Sequence, residues 1–462
     1  MLFQKKPKGL NIIIVGCGMV GATLIEQLTA EGHDITIIDK DAVRVKELSD
    51  LYDCMGVVGN GASFTVQIEA GIKDANLIIA VTESDELNLL CCTVAKRVGG
   101  CSAIARVRNP DYSIEIGYLR EKLGLAMIIN PELEASREMS RLLCIPSALE
   151  IDAFAHGQAE MVKFKVRTGS MLDRMSVKTL GANTESVLVC GVEREGKVII
   201  PNGNTVLKAG DIIAIVAPRK AAREFFKRIG SKASQVKDAL LIGGGDSAYY
   251  LARQLLHIGV NVTIIEKDPE RCERLGVLLP KAVVVCGDGT DEDLLREEGI
   301  EEVESCIPLT GSDEENILLS LHASKVSRAD AKVITKINRI TFNDVISSLD
   351  LSSVIYPRYI TAEAIIGYVR AKSASRSSDI ETLSYMFDGR VEAIEFRIEE
   401  EFKGLTGVAL SDLSLKKDVL ISFISRRGKI IIPSGSDVIL PGDTVMIVTT
   451  HPGFVQITDI LD

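Results

Sequence analysis

The chain repeats itself across its two halves, and this duplication limits its possible folds more than any other feature. Ile12-Ile13-Ile14-Val15-Gly16-Cys17-Gly18-Met19-Val20-Gly21 aligns with Ala239-Leu240-Leu241-Ile242-Gly243-Gly244-Gly245-Asp246-Ser247-Ala248 at an offset of 227 residues. The same offset carries Ile37-Ile38-Asp39-Lys40-Asp41 onto Ile264-Ile265-Glu266-Lys267-Asp268. At an offset of 228, Gly59-Asn60-Gly61-Ala62 pairs with Gly287-Asp288-Gly289-Thr290, and Thr82-Glu83-Ser84-Asp85-Glu86 pairs with Thr310-Gly311-Ser312-Asp313-Glu314. Beyond these segments, Gly196-Lys197-Val198-Ile199-Ile200-Pro201 answers Gly428-Lys429-Ile430-Ile431-Ile432-Pro433 at an offset of 232. The repeating unit spans about half the chain and has two parts of different character, in the order A-B-A-B.

In part A, short Ile/Val-rich runs at 10–15, 35–39, 54–58, 76–81 and 101–107 alternate with helix-period stretches at 19–31 and 85–98. That alternation is the signature of a parallel sheet with crossover helices. In part B, strand-like segments near 161–167, 187–193, 197–200 and 212–216 are separated by Gly, Asn and Asp turns, with a short helix after about Asp173. The expected fold class is therefore α/β. Two tandem Rossmann-like parallel-sheet domains, over 9–130 and 236–356, are each followed by a small β-rich α+β domain, over 145–230 and 379–462. Pro131 and Pro357 each open a helix joining A to B, because proline is preorganised for a first helical turn. The polar run Ser373-Ala374-Ser375-Arg376-Ser377-Ser378 reads as a linker from its composition.

Composition excludes several classes of function. No apolar run approaches the roughly 18–20 residues that cross a bilayer. The net charge of −11, with both signs interspersed, lacks the clustered basic footprint of a nucleic-acid partner. The ten cysteines follow no metal-ligand or disulfide-framework spacing and suit a reducing cytosol. Ile14-Val15-Gly16-Cys17, after Lys5, Lys6 and Lys8, resembles a lipoprotein cleavage site. The same strand and turn recur deep inside the chain, which favours a buried strand running into a glycine turn.

The glycine turns carry the chemistry. In Gly16-Cys17-Gly18-Met19-Val20-Gly21 the first glycine permits a tight turn, the second lets a pyrophosphate approach the backbone, and the third lets helix pack on strand. The N–H groups opening the helix then face the phosphates, where the helix dipole favours negative charge. Asp39, 18 residues after Gly21 at the end of the next strand, is placed to accept hydrogen bonds from ribose hydroxyls and to repel a 2′-phosphate. This favours NAD over NADP, weakened by Lys40, and leaves NAD and ATP or ADP undistinguished. Thr82, Glu83 and Arg106 lie at the same sheet edge, and their counterparts include Thr310 and Lys336. Either cation can neutralise phosphate; for Arg106 a plain surface charge is an equal reading, and for Lys336 it is the favoured one. The second turn, Gly243-Gly244-Gly245-Asp246-Ser247-Ala248, has alanine for the third glycine and Glu266 for the aspartate, both tolerated variants.

Groups for catalysis are missing. His33, His156, His257, His322 and His451 do not cluster, and Cys91-Cys92 lacks a histidine partner, so packing is the expected role of those thiols. Binding without chemistry fits best. The alternative is an NAD-dependent oxidoreductase acting on an unidentified substrate.

Taken together, the paired turns, acidic strand ends, Gly-Asp-Gly-Thr segment and β-rich lobes resemble the tandem RCK (KTN) family, the regulatory subunits of Trk potassium-uptake systems. The resemblance covers essentially the whole chain. It implies a non-enzymatic, cytoplasmic protein, peripheral on the inner face of the membrane, that assembles into a homo-oligomeric ring under a Trk-type potassium-translocating subunit. In this expectation NADH, NAD+, ATP or ADP sets the gating. The implied ligand residues are the Gly16–Gly21 turn with Asp39, Lys40, Thr82, Glu83 and Arg106. In the second unit they are the turn from Gly243 with Glu266, Asp288, Thr310 and Lys336. Lys336, replacing an arginine, would hold a phosphate as a point charge rather than a fork. A regulatory module of a potassium/proton antiporter is a third reading.

Overall fold

The computed structural model describes residues 9–113, 115–184, 186–230, 235–339, 345–346, 349, 351–373, 378–387 and 389–462. The first part A is a six-stranded parallel sheet of β1 (Asn11–Val15), β2 (Asp34–Asp39), β3 (Met55–Val58), β4 (Leu77–Ala80), β5 (Ser102–Arg106) and β6 (Met127–Ile129). Its order, β3-β2-β1-β4-β5-β6, is that of a doubly wound sheet. The central strands are near-continuous aliphatic runs because helices cover both faces; Ile14, Ile37, Leu77, Ile78 and Ile79 are all fully buried.

The first part B is an antiparallel sheet of β7 (Glu150–Phe154), β8 (Ala159–Lys165), β9 (Leu188–Arg194), β10 (Lys197–Ile199) and β11 (Ile212–Pro218), in the order β10-β9-β11-β8-β7. Its short helix runs over Val177–Asn183, with the Ser176 hydroxyl accepting from the Thr179 N–H as cap. The second half repeats the plan. Its parallel sheet is β12 (Asp238–Ile242), β13 (Asn261–Glu266), β14 (Val283–Cys286), β15 (Ser305–Pro308), β16 (Lys332–Lys336) and β17 (Ser353–Ile355). Its antiparallel sheet is β18 (Ser378–Met386), β19 (Val391–Ile398), β20 (Val419–Arg426), β21 (Lys429–Ile431) and β22 (Thr444–Thr449). Each lobe is braced by a two-pronged ion pair at equivalent positions, Arg194 to Asp211 (2.8 and 2.6 Å) and Arg426 to Asp443 (2.8 and 2.7 Å).

Strands β6 and β17 in the parallel sheets, and β7 and β18 in the lobes, are additions to the segments read from the sequence. Pro131 and Pro357 do open helices, Pro131–Cys144 and Pro357–Ser373. Of the expected Ser373–Ser378 linker, residues 374–377 lie outside the described residues. Ser373 ends the second of these helices and Ser378 begins β18.

The halves pack crosswise. Helix Pro131–Cys144 of the first half lies on Asp246–His257 of the second, while Pro357–Ser373 of the second lies on Met19–Ala30 of the first. One apolar core accordingly joins the first lobe (Phe164, Phe225, Phe226) to the second parallel domain (Leu241, Leu251). Another joins the second lobe (Phe396, Ile447) to the first parallel domain (Ile12, Leu24). The two lobes meet face to face through Phe154 and Phe423, edge to face at 6.5 Å between centroids. Arg370 pins one crossing, donating to Glu31 of the first domain and to Glu392 of the second lobe. The single chain thus has the arrangement of a symmetric dimer whose subunits are its own halves. No helix among the described residues is long and apolar enough to cross a membrane.

Candidate functional site

At the carboxyl edge of the first sheet, β1 ends in Gly16 with φ +105°, a conformation open to glycine and strained for other residues. A methyl on Gly21 would collide with the Gly16 carbonyl oxygen, which is why the third glycine allows the helix to sit against the strand. A methyl on Gly18 would meet nothing within 4 Å. That glycine is therefore not required by the protein's own packing, and the space beside it lies open at the helix start. Helix Met19–Ala30 begins with Gly18 as its cap, has no side-chain cap hydrogen bond and no acidic residue in its first turn. Its leading N–H groups keep their partial positive charge available to an anion.

Asp39 closes the turn. Its Oδ2 accepts from the Cys17 N–H at 2.6 Å and its Oδ1 from the Asp41 N–H at 3.0 Å. In the second unit, Glu266 Oε2 accepts from the Gly244 N–H at 2.6 Å and Oε1 from the Asp268 N–H at 2.8 Å. Gly243 has φ +101°, matching Gly16. The two acidic strand ends therefore do the same structural work despite differing by a methylene.

The sites differ in their surroundings. Asp39 is half-buried, whereas Glu266 is only 4% exposed, and Arg271 Nη1 lies 3.4 Å from its carboxylate. The equivalent Arg44 instead approaches Asp41, at 3.9 Å. Asp246 occupies the first helical position of the second unit, where the first has Met19, so a carboxyl sits at the anion-favouring helix start. Burial raises its pKa, opposed by the charge of Arg108 from the first unit.

Among the remaining expected residues, Lys40 is exposed beside Asp39, and Val20 and Ser247 are buried under the turns. Glu83 is exposed beyond β4, and its carbonyl accepts from Arg108 Nη2 at 2.6 Å. Thr82 gives its hydroxyl to Asn88 Oδ1 at 2.7 Å, and the Thr310 hydroxyl points to the Ser312 carbonyl at 3.1 Å. Arg106 Nη2 donates to the Thr82 carbonyl, leaving its buried Nε without a hydrogen-bond partner. Burial lowers the Arg106 pKa, and the neighbouring Arg108 charge adds to this. Lys336 is buried, and that burial lowers its pKa too, against Glu132, Asp313 and Asp246. Asp288 Oδ1 accepts from the Thr290 N–H at 2.9 Å and its hydroxyl at 2.8 Å, shaping the loop after β14.

Several residues of the site escaped the sequence reading. Asn88 and Asn316, fully buried, each accept from the N–H of the preceding Thr82 or Thr310 and donate to the carbonyl of Arg106 or Lys336, clamping two strand ends together. Asp85 holds the N–H groups of Arg108 and Asn109, as Asp313 holds those of Asn338 and Arg339. Each pair sits at the offset of 228 set by Thr82 and Thr310: Asp85 and Asp313 already stand in the aligned segments, and carrying the alignment two residues further brings Asn88 onto Asn316. The closeness of the two sheet edges had no such signal. The Tyr250 hydroxyl of the second unit donates to the Arg108 carbonyl of the first at 2.8 Å, and Arg274 lies 3.5 Å from Asp111. Among the described residues there is no metal-binding cluster.

Fold and site geometry define the class: two Rossmann-like units of RCK type, each with its β-rich lobe, fused in one chain. The TrkA-N domain family model matches residues 12–131 and 239–357, and the TrkA-C domain model matches 161–230 and 394–462. The chain belongs to the TrkA family. It is 33% identical over 438 residues to a Trk system potassium uptake protein TrkA homolog of Archaeoglobus fulgidus, covering 95% of this chain and 97% of the relative. It is 30% identical over 445 residues to the Trk system potassium uptake protein TrkA of Haemophilus influenzae, covering 95% of each. The GsuK channel bound to NAD shares the fold, with a TM-score of 0.63 at 18% identity over 96% of this chain and 77% of that one. The two TrkA relatives are named for potassium uptake rather than for a reaction.

Proposed function

We propose that this protein is the nucleotide-sensing regulatory subunit of a Trk-type potassium-uptake system, binding NAD(H), ATP or ADP at its glycine turns and so gating a membrane-embedded potassium-translocating partner. The observation that carries the reading is the open helix start at Gly18, repeated at Gly245, each beside a strand-end carboxylate held to its own turn. The turn supplies N–H donors for phosphates, and Asp39 or Glu266 supplies acceptors for adenosine hydroxyls. Because the sheet edges face each other across the crossed halves, a ligand that prefers one spacing of the halves shifts their equilibrium by its difference in affinity. A homo-oligomeric ring on the cytoplasmic face of the membrane would pass that shift to the partner.

Calorimetric titration of the purified chain with NADH, NAD+, ATP and ADP tests the binding step. Saturable binding to one or both turns supports the reading, and no heat from any of the four nucleotides overturns it. Reconstitution with a potassium-translocating subunit in vesicles tests the second step. There, nucleotide should change potassium flux only when this chain is present.

A further inference from the structure

Among the differences between the repeats, one pair of positions beside the second turn exchanges valines for cysteines. The first unit has Val45 and Val58; the second has Cys272 and Cys286. Val45 and Cys272 lie on equivalent helices, Ala42–Tyr52 and Pro269–Leu278, while Val58 and Cys286 end the equivalent edge strands β3 and β14. A cysteine pair packs much as a valine pair does, yet it adds redox chemistry.

The backbone brings these thiols together. Cys272 Sγ donates to the Glu266 carbonyl at 3.2 Å, and the same oxygen accepts from the Gly287 N–H, next to Cys286, at 2.9 Å. Glu266 also pairs directly with Cys286 in the parallel register. Cys286 is near enough to act on the Cys272 thiol, raising its pKa. Cys286 is the one exposed cysteine of the ten, all of which are described; Cys272 is half-buried. An exposed thiol beside a second thiol is the arrangement that exchange with a disulfide needs.

We infer that Cys272 and Cys286 form a reversible disulfide by exchange with a small-molecule disulfide, tying helix Pro269–Leu278 to the edge strand beside the second glycine turn. The Cys286 thiol loses its proton to solvent, and its sulfur attacks an oxidised low-molecular-weight thiol of the glutathione class. The S–S bond of that reagent breaks, releasing one small thiol and leaving a mixed disulfide on Cys286. Cys272 then loses its proton and attacks the Cys286 sulfur, releasing the second small thiol. The protein thiols give up two electrons, and the reagent accepts them, ending as two thiols. Burial, with the Cys286 contact adding to it, pushes the Cys272 thiol up to about 11. Cys272 is therefore the resolving thiol, and closure is faster in alkali. Once formed, the disulfide removes the S–H donor from the Glu266 carbonyl and fixes the segment that carries Arg271 against β14. The first unit, with valines, has no counterpart.

The test treats the full-length protein with oxidised glutathione at about pH 8, alkylates free thiols and maps peptides by mass spectrometry. The expected result is a mass loss of two hydrogen atoms, one cross-linked peptide joining Cys272 to Cys286, and reversal by dithiothreitol. Cys286→Val, which installs the first unit's residue at an exposed position, should abolish the cross-link while circular dichroism and melting stay those of the parent. A persistent glutathione adduct on Cys286 with Cys272 still alkylated, or both thiols left free, overturns the inference. No readout involves nucleotide, so failure here leaves the proposed function standing, and absence of nucleotide binding leaves this pair standing.

Discussion

The carboxylate of Asp39 holds the Cys17 N–H at 2.6 Å, so the residue proposed to bind a ribose also fixes the turn proposed to bind phosphates. An ionised carboxylate has room for about four hydrogen bonds, and two of these are taken by Cys17 and Asp41. Asp39→Ala should raise the nucleotide dissociation constant at the first turn about tenfold to a hundredfold, the usual worth of hydrogen bonds to a charged group. Glu266→Ala should act at the second turn alone. Calorimetry on both variants checks this, and an unchanged affinity in Asp39→Ala removes that residue from the site.

The third turn position separates the two units. In the first, an added methyl on Gly21 meets the Gly16 carbonyl oxygen, whereas the second unit already accommodates the fully buried Ala248 there. Gly21→Ala should cost about 1–3 kcal/mol through overpacking and should weaken nucleotide binding at the first turn. The reciprocal Ala248→Gly should cost only about 1 kcal/mol of helix propensity and leave binding at the second turn unchanged. Urea denaturation gives the stabilities. Equal losses from the two substitutions would contradict the packing argument.

Arg370 joins domains that the chain order separates. It is 2% exposed, holds both oxygens of Glu392 at 2.9 Å, and reaches Glu31 in the first parallel domain through its Nε at 2.9 Å. Arg370→Ala leaves two carboxylates near each other with little water, a loss of about 3–5 kcal/mol for a buried pair broken from one side. Arg370→Lys keeps the charge but not the fork, and should fall between the alanine variant and the parent. The midpoint of chemical denaturation is the measurement. An alanine variant as stable as the parent would mean the crossing is held by its apolar contacts.

What the sequence disclosed and what it hid follow one physical distinction. The turns were legible because Gly16 needs positive φ and Gly21 needs the absence of a side chain, and such backbone constraints write themselves into residue identity. The acidic strand ends were legible from their spacing to the turns. Strand β18 was hidden because its first residue, Ser378, belongs to a serine-rich run whose composition signals a linker. Strand β7 was hidden because Glu-Ile-Asp-Ala-Phe is short, and it carries charges whose neighbours are known only in three dimensions. The crossed packing left no local trace. Ile365, Ile366 and Val369 show that Pro357–Ser373 buries a face, but nothing in that pattern says the face lies against the first half rather than the second.

Asp152, in the unforeseen strand β7, gives the protein a pH dependence. With Glu138, Glu150 and Glu363 it lines a cavity of about 1280 Å³ between the halves. Burial, with the charge of Glu150 adding, pushes the Asp152 carboxyl up to about 7, against the opposing pull of Arg141, Ser384 and Lys163. Glu138 and Glu363 are held well above the usual carboxylate range by burial, and the charge of Asp152 reinforces the shift in both. A folded-state pKa above the unfolded value means the folded protein keeps a proton that the unfolded chain has released. Between about pH 4, the unfolded value, and about 7, where Asp152 titrates in the folded protein, stability therefore falls as pH rises. Above this window the penalty is complete. Asp152→Asn cannot ionise, so it should stabilise the protein by on the order of 1–4 kcal/mol at about pH 8, with the gain shrinking toward pH 4. Urea midpoints of parent and variant at both ends of this range decide the matter. A gain that does not change with pH would assign the effect to packing, and a loss at high pH would mean that Asp152 is needed there as an anion.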